Sequence, residues 1–261
     1  MTATAAPPTA RHQTEALGAA ERSSMFRHAS IVAGVGLLLM SALAGFGKFF
    51  ALDGLVTTGD ATQTAHDILG SEATFRLGIV SLILVAALDV VVACALYRVF
   101  RPVSKNISML AAVLRLVYAA VFVVAIGELL GALRLLSDDA YLRVFSVDQL
   151  NAQALLHINA FSDLWYVGQF FFGLHLLALG YLALRSGYVP RLIGVLLAIA
   201  GLGYGIDSVG ATLSQTPWTP VSSFTFVGEF LLAVWLVARG RRLTPSQSDH
   251  ASGDSPLMQA G

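Results

Sequence analysis
The sequence predicts an all-α fold, a polytopic membrane helix bundle of six transmembrane helices with short helices in the outer loops and both termini cytoplasmic. Three observations predict it. Of 261 residues, 56% are hydrophobic and 12% charged, and the mean hydropathy is +0.72, far from the balance of a water-soluble domain. The apolar residues gather into runs approaching the ~20 residues that cross ~30 Å of hydrocarbon at ~1.5 Å per residue. The basic residues concentrate in alternate connections, as in multi-pass proteins of the cell membrane.

Residues 1–26 are rich in Ala, Thr, Pro and charge without apolar periodicity, and read as a disordered cytoplasmic arm. Residues 27–242 form the six-helix transmembrane domain. The first run, from Ile31 to Phe50, is too late and too long for a cleavable signal. Its small residues Ser41, Ala44, Gly45 and Gly47 allow a close helix approach. A polar loop follows, in which Asp60 with Gln63, then Ser71, read as helix N-caps.

The second span covers Glu72 to Tyr97 and the third Ser108 to Leu133, around a basic turn with Arg98, Arg101, Pro102 and Lys105. Between Arg134 and Asn159 lies the longest polar connection, where Ser146 and Gln149 in SVDQ make a capping box for an amphipathic helix. The fourth span, Phe161 to Leu184, and the fifth, Leu192 to Val209, form a hairpin around a turn with Arg185, Gly187, Pro190 and Arg191. In this turn Pro190 suits the first helical turn. Gly194, Ala198, Gly201 and Gly205 draw a stripe of small residues down the fifth span. The sixth, Phe224 to Ala238, is flanked by Trp218 and carries Trp235, both suited to interfaces. Residues 243–261 read as a disordered cytoplasmic tail.

Six spans put both ends on one side. With that side cytoplasmic, Arg11, Arg22 and Arg27, the two basic turns, and Arg239, Arg241 and Arg242 account for eleven of 16 basic residues. The formal net charge is zero, which gives no case for a nucleic-acid partner. The single cysteine, Cys94, excludes an intrachain disulfide and a CxxC motif, and inside an apolar run it reads as a small buried hydrophobe. A weak echo relates ALYRVFRPVSK to LALRSGYVPR and pairs Tyr118 with Tyr204, consistent with a duplicated hairpin or with any two basic membrane turns.

Several ordered blocks carry a family resemblance: FR at Phe75, LD at Asp89, LY before Arg98, GLH at His175, SGYVPR, and GE at Glu229. From Phe26 to Gly240 the chain resembles the bacterial membrane family called domain of unknown function 4386. The resemblance implies a multi-span membrane protein and brings no activity, ligand or catalytic residue.

Charged side chains at helix centres are costly, so each is a candidate for function. Counting the helical rise from the basic turns places Asp89, Arg115, His175 and Glu229 at middle depth, as candidates for a ligand or proton pocket. Asp89 and Arg115, on consecutive antiparallel helices, are able to pair. Glu128, Asp163 and Asp207 lie nearer the outer side, as a solvated vestibule or, with His157, a metal site that no ligand spacing supports. No metal and no cofactor are expected: a bis-histidine haem needs a second mid-membrane histidine, and no HExxH, GxGxxG, phosphate loop or nucleophile elbow stands in a convincing context.

No catalytic residue is assigned. The favoured reading is a protein that binds or transports a small ligand, lipid or proton, with the lipid bilayer as partner and a homo-oligomer expected because six spans are few for a carrier. One alternative is an intramembrane enzyme acting on a lipid or isoprenoid, with Asp89 or Glu229 as acid and His175 as base. The other is a structural or regulatory protein whose buried charges specify packing. The aromatic run Phe170, Phe171 and Phe172 reads as lipid-facing or as core packing.

Overall fold
The computed structural model describes residues 10–214, 218–222 and 227–239. The 243–261 tail, Arg241, Arg242 and the expected start of the sixth span at Phe224 lie outside them. The helices are α1 (Ala10–Ala44), continued by π-helical turns over Gly45–Leu52, then α2 (Ala61–Gly70), α3 (Glu72–Phe100), α4 (Lys105–Ser137) and the single turn α5 (Asp139–Leu142). After these come α6 (Val147–Arg185), α7 (Arg191–Leu213) and α8 (Val227–Arg239). Among the described residues five helical segments are long and apolar enough to cross a membrane: Ser23–Leu52, α3, α4, α6 and α7. The 13 described residues of α8 fall short of that length.

Local signals explain the helix starts. The Asp60 side chain accepts from Gln63 N at 2.9 Å, and the Gln63 amide in turn donates to Asp67 at 2.8 Å. That bond, followed by the His66 contact, holds the Asp67 carboxyl below the usual carboxylate range. Ser71, expected to cap α3, makes no side-chain capping bond. It is the only residue between α2 and α3, and its backbone ends one helix as it begins the next.

The Ser146–Gln149 capping box forms. It does not open a separate amphipathic helix, however: Val147 to Arg185 is one helix of 39 residues. No Gly or Pro interrupts residues 147–160, so nothing breaks the pattern before the apolar part begins. At ~1.5 Å per residue this helix is ~58 Å long, about twice the thickness of a hydrocarbon core.

The α6–α7 turn uses Gly187 at φ +70°, a left-handed conformation natural to glycine. Pro190 stands one residue before the helix, at the N-cap. The Tyr188 hydroxyl donates to the Val99 carbonyl at 2.6 Å, and its ring packs on Phe26 and Phe100, which fastens this turn to the end of α3.

Helix contacts run α1 to α3, α3 to α4, α4 to α6, α6 to α7, α7 to α8 and α8 back to α1, so six helices close a ring. The tightest seam is α6 on α7. A Cβ on Gly201 would lie 2.6 Å from the Gly173 carbonyl oxygen, and one on Gly180 would lie 2.8 Å from the Gly194 carbonyl oxygen. The small-residue stripe of α7 thus meets Gly173 and Gly180 of α6, two glycines that repeat every seven residues on the facing helix.

Large apolar residues face outward, Leu77, Val80, Leu84 and Val91 of α3 among them. This is the surface expected against lipid. Cys94 belongs to that outward face and is exposed, not buried, because its position falls three residues after Val91 on the same side. Phe170 also faces outward, whereas Phe172 turns inward.

Candidate functional site
Within the ring lies a cavity of about 460 Å³, open to the surface on the side of Phe49 and Phe230. Met40 and Ala44 of α1 and Lys48 and Phe49 of the π-helical turns form one wall. α3 contributes Val85 and Asp89, and α4 contributes Arg115 and Tyr118. α6 adds Trp165, Gln169 and Phe172, α7 adds Tyr204, and α8 adds Glu229 and Phe230. Small residues at Ser41, Ala44 and Gly45 leave the space on the α1 side.

Arg115 organises the polar wall. Its Nη2 lies 2.8 Å from Asp89 Oδ1, and both side chains are almost wholly buried, at 2% and 0% exposure. Nη1 donates to His175 Nε2 at 3.2 Å, Nη2 approaches Met40 Sδ at 3.7 Å, and the guanidinium sits 5.3 Å from the centre of the Phe172 ring. His175 Nδ1 is 2.8 Å from the Ala111 carbonyl oxygen. A carbonyl only accepts and an arginine only donates, so Nδ1 carries the proton, Nε2 is bare, and the imidazole is neutral. The hydrogen bonds alone therefore define its tautomer.

The four residues placed at middle depth thus divide. Asp89, Arg115 and Glu229 border the cavity, while His175 stands behind Arg115 with no solvent exposure and both ring nitrogens engaged. Among the described residues Glu229 has no salt bridge, and Tyr204 shares the cavity wall with it. Shielded oxygens without a partner occur on Asp89, Gln169 and Glu229. The Asp89–Arg115 contact is an ion pair without well-aligned hydrogen bonds, which leaves both Asp89 oxygens with unused acceptor capacity.

The three acids read as an outer tier do not meet. Glu128 Oε2 is 2.6 Å from His157 Nδ1, a part-buried pair between α4 and α6. Asp163 is exposed on α6. Asp207 is fully buried and accepts from Trp218 Nε1 at 3.0 Å, from Val221 N at 2.7 Å and from Ser222 N at 2.7 Å. It anchors the segment that leads to α8, and Trp218, read as an interfacial residue, is committed to this anchor. No group of three or more metal-ligating side chains occurs among the described residues. Replacing Asp207 with Ala strips three donors of a charged acceptor and is expected to cost about 2–4 kcal/mol, read as a lower unfolding midpoint in detergent.

Sequence reasoning did not single out Gln169, Trp165 or the π-helical turns. Gln169 carried a signal, an uncharged polar residue within an apolar run. Trp165 and the π-helical geometry carried none. Tyr118 and Tyr204, paired in the weak internal echo, both pack on Phe172 at ring separations of 4.8 and 5.4 Å.

Apolar helices of spanning length, closed around a cavity with a buried ion pair, define a helical membrane protein with a polar interior. The chain belongs to the family described as Domain of unknown function (DUF4386), whose model matches residues 32–240. It is also 39% identical over 166 residues to an uncharacterized protein of Archaeoglobus fulgidus, an alignment that covers 64% of this chain and 85% of the relative. The likeness therefore reaches beyond bacteria, where the sequence blocks had placed it. No solved structure matches the chain.

Proposed function
We propose that this protein binds a small ligand inside its helix ring and acts as an intramembrane binding or transport protein. The observation that carries the reading is the cavity of about 460 Å³ with largely apolar walls, bordered by Asp89, Arg115 and Glu229. Apolar walls with a few convergent polar groups are the usual build of a small-molecule site, and polar groups at membrane depth line ligand and ion paths. An acid–base enzyme is less well supported. Its base, His175, does not border the cavity and holds both ring nitrogens in hydrogen bonds.

Native mass spectrometry of protein released from detergent tests the reading, with Ala44→Trp as a variant whose indole fills the cavity from α1. A small molecule retained by the wild type and absent from the variant is expected. Equal retention by both, or no retained species and no stabilisation by any of a panel of cationic, neutral and anionic amphiphiles, contradicts it.

The same reading places six spans in the cell membrane, with α8 as the sixth and both termini cytoplasmic. It is supported by the even number of helices in the ring and by the basic residues of the α3–α4 and α6–α7 turns. A reporter fused after Gly240 is expected to read as cytoplasmic, and an external signal overturns this topology.

A further inference from the structure
We infer that the ligand of this cavity is a lipophilic organic cation, an alkyl- or arylammonium held between the Glu229 carboxylate and the aromatic walls. The inference rests on the binding reading above and narrows its ligand class.

The charges that border the cavity are Asp89 and Glu229 against Arg115 and Lys48. Arg115 is ion-paired with Asp89, and Lys48 with Asp53 at the end of the π-helical turns. His175 contributes no charge, since its hydrogen bonds define a neutral ring. Glu229 is thereby left without a salt bridge among the described residues, with the paired Arg115 as the cation whose charge reaches it, and one of its oxygens is shielded and unpaired. A carboxylate in apolar surroundings is costly unless it takes up a proton or gains a cation, and a cationic ligand supplies the second. Trp165, Tyr118, Tyr204 and Phe230 complete the walls, and aromatic faces attract ammonium groups. An anion would meet two carboxylates beside an arginine whose Nη groups are already engaged and of whose nitrogens only the shielded Nε lacks a partner. A neutral ligand would make no use of the Glu229 charge, which a proton would then have to cancel.

The experiment compares benzyltrimethylammonium with its uncharged carbon isostere, neopentylbenzene, and with the anion phenylmethanesulfonate, on the full-length protein in detergent. Near saturation the cation is expected to raise the thermal midpoint by about 5 °C or more, with much smaller shifts from the other two. Glu229→Gln, which keeps the side-chain shape and removes the charge, is expected to abolish the preference for the cation. The wild-type comparison decides the matter even if that variant does not fold. A shift from the isostere or the anion equal to that from the cation, or a cation preference retained by Glu229→Gln, overturns the inference and leaves the binding reading standing. Failure of all three probes together with an empty native mass spectrum overturns both.

Discussion
Asp89→Asn and Arg115→Gln are each expected to destabilise the protein by about 3–5 kcal/mol, and the double variant by less than the sum. The two side chains are buried to 0% and 2% exposure and lie 2.8 Å apart, so removing one strands the other without a counter-charge. Arg115→Gln is the more damaging of the two. It also takes the donor from His175 Nε2, the contact to Met40 and the cation over Phe172. A double-mutant cycle read by unfolding in detergent should show a coupling of roughly 0.5–3 kcal/mol. Additive losses would mean that the pair does not act as one unit.

Gly201→Leu should cost about 3 kcal/mol, because its Cβ would fall 2.6 Å from the Gly173 carbonyl oxygen and 3.0 Å from Leu177 N. Backbone atoms cannot rotate away as a side-chain tip can, so α6 and α7 must separate. Tyr204 and Phe172, on the same two helices, would move with them, so lost stability and lost ligand binding are expected together. Gly205 belongs to the same stripe, yet a Cβ there meets nothing within 4 Å. Gly205→Ala is therefore the control, expected to leave the unfolding midpoint within about 2 °C of wild type. Equal losses at the two positions would place the seam elsewhere.

The contrast between these glycines marks how far sequence reasoning reached. Spacing along α7 revealed a small-residue face but not which of its positions is pressed against a partner. That depends on the matching glycines of α6, seven residues apart and unremarkable in isolation. The same holds for the charges. Helical rise placed Asp89, Arg115, His175 and Glu229 at one depth, because distance from a basic turn converts directly to height. Rise says nothing of rotation about the axis, and rotation is what brings Arg115 onto the cavity with His175 behind it.

Asp207 shows the reverse error. A carboxylate near a span end reads as part of a vestibule, but a chain that turns back over the helix end offers amide donors, and Asp207 takes them. The long α6 has a related cause. A capping box marks where a helix starts, and only a breaker would have marked a second start before the apolar run. The closed order of the ring could not be read from the sequence, since helix contacts that are distant along the chain, such as α1 with α8, leave no spacing to read.

An experimental structure of the protein in lipid nanodiscs would show whether a ligand occupies the cavity inside the ring. Non-protein density of small-molecule size is expected between α1, α6 and α8, in contact with Glu229 and flanked by an intact Asp89–Arg115 pair. A ring collapsed onto itself, with Glu229 bonded to Arg115 and no space left between Met40, Phe172 and Phe230, would contradict it.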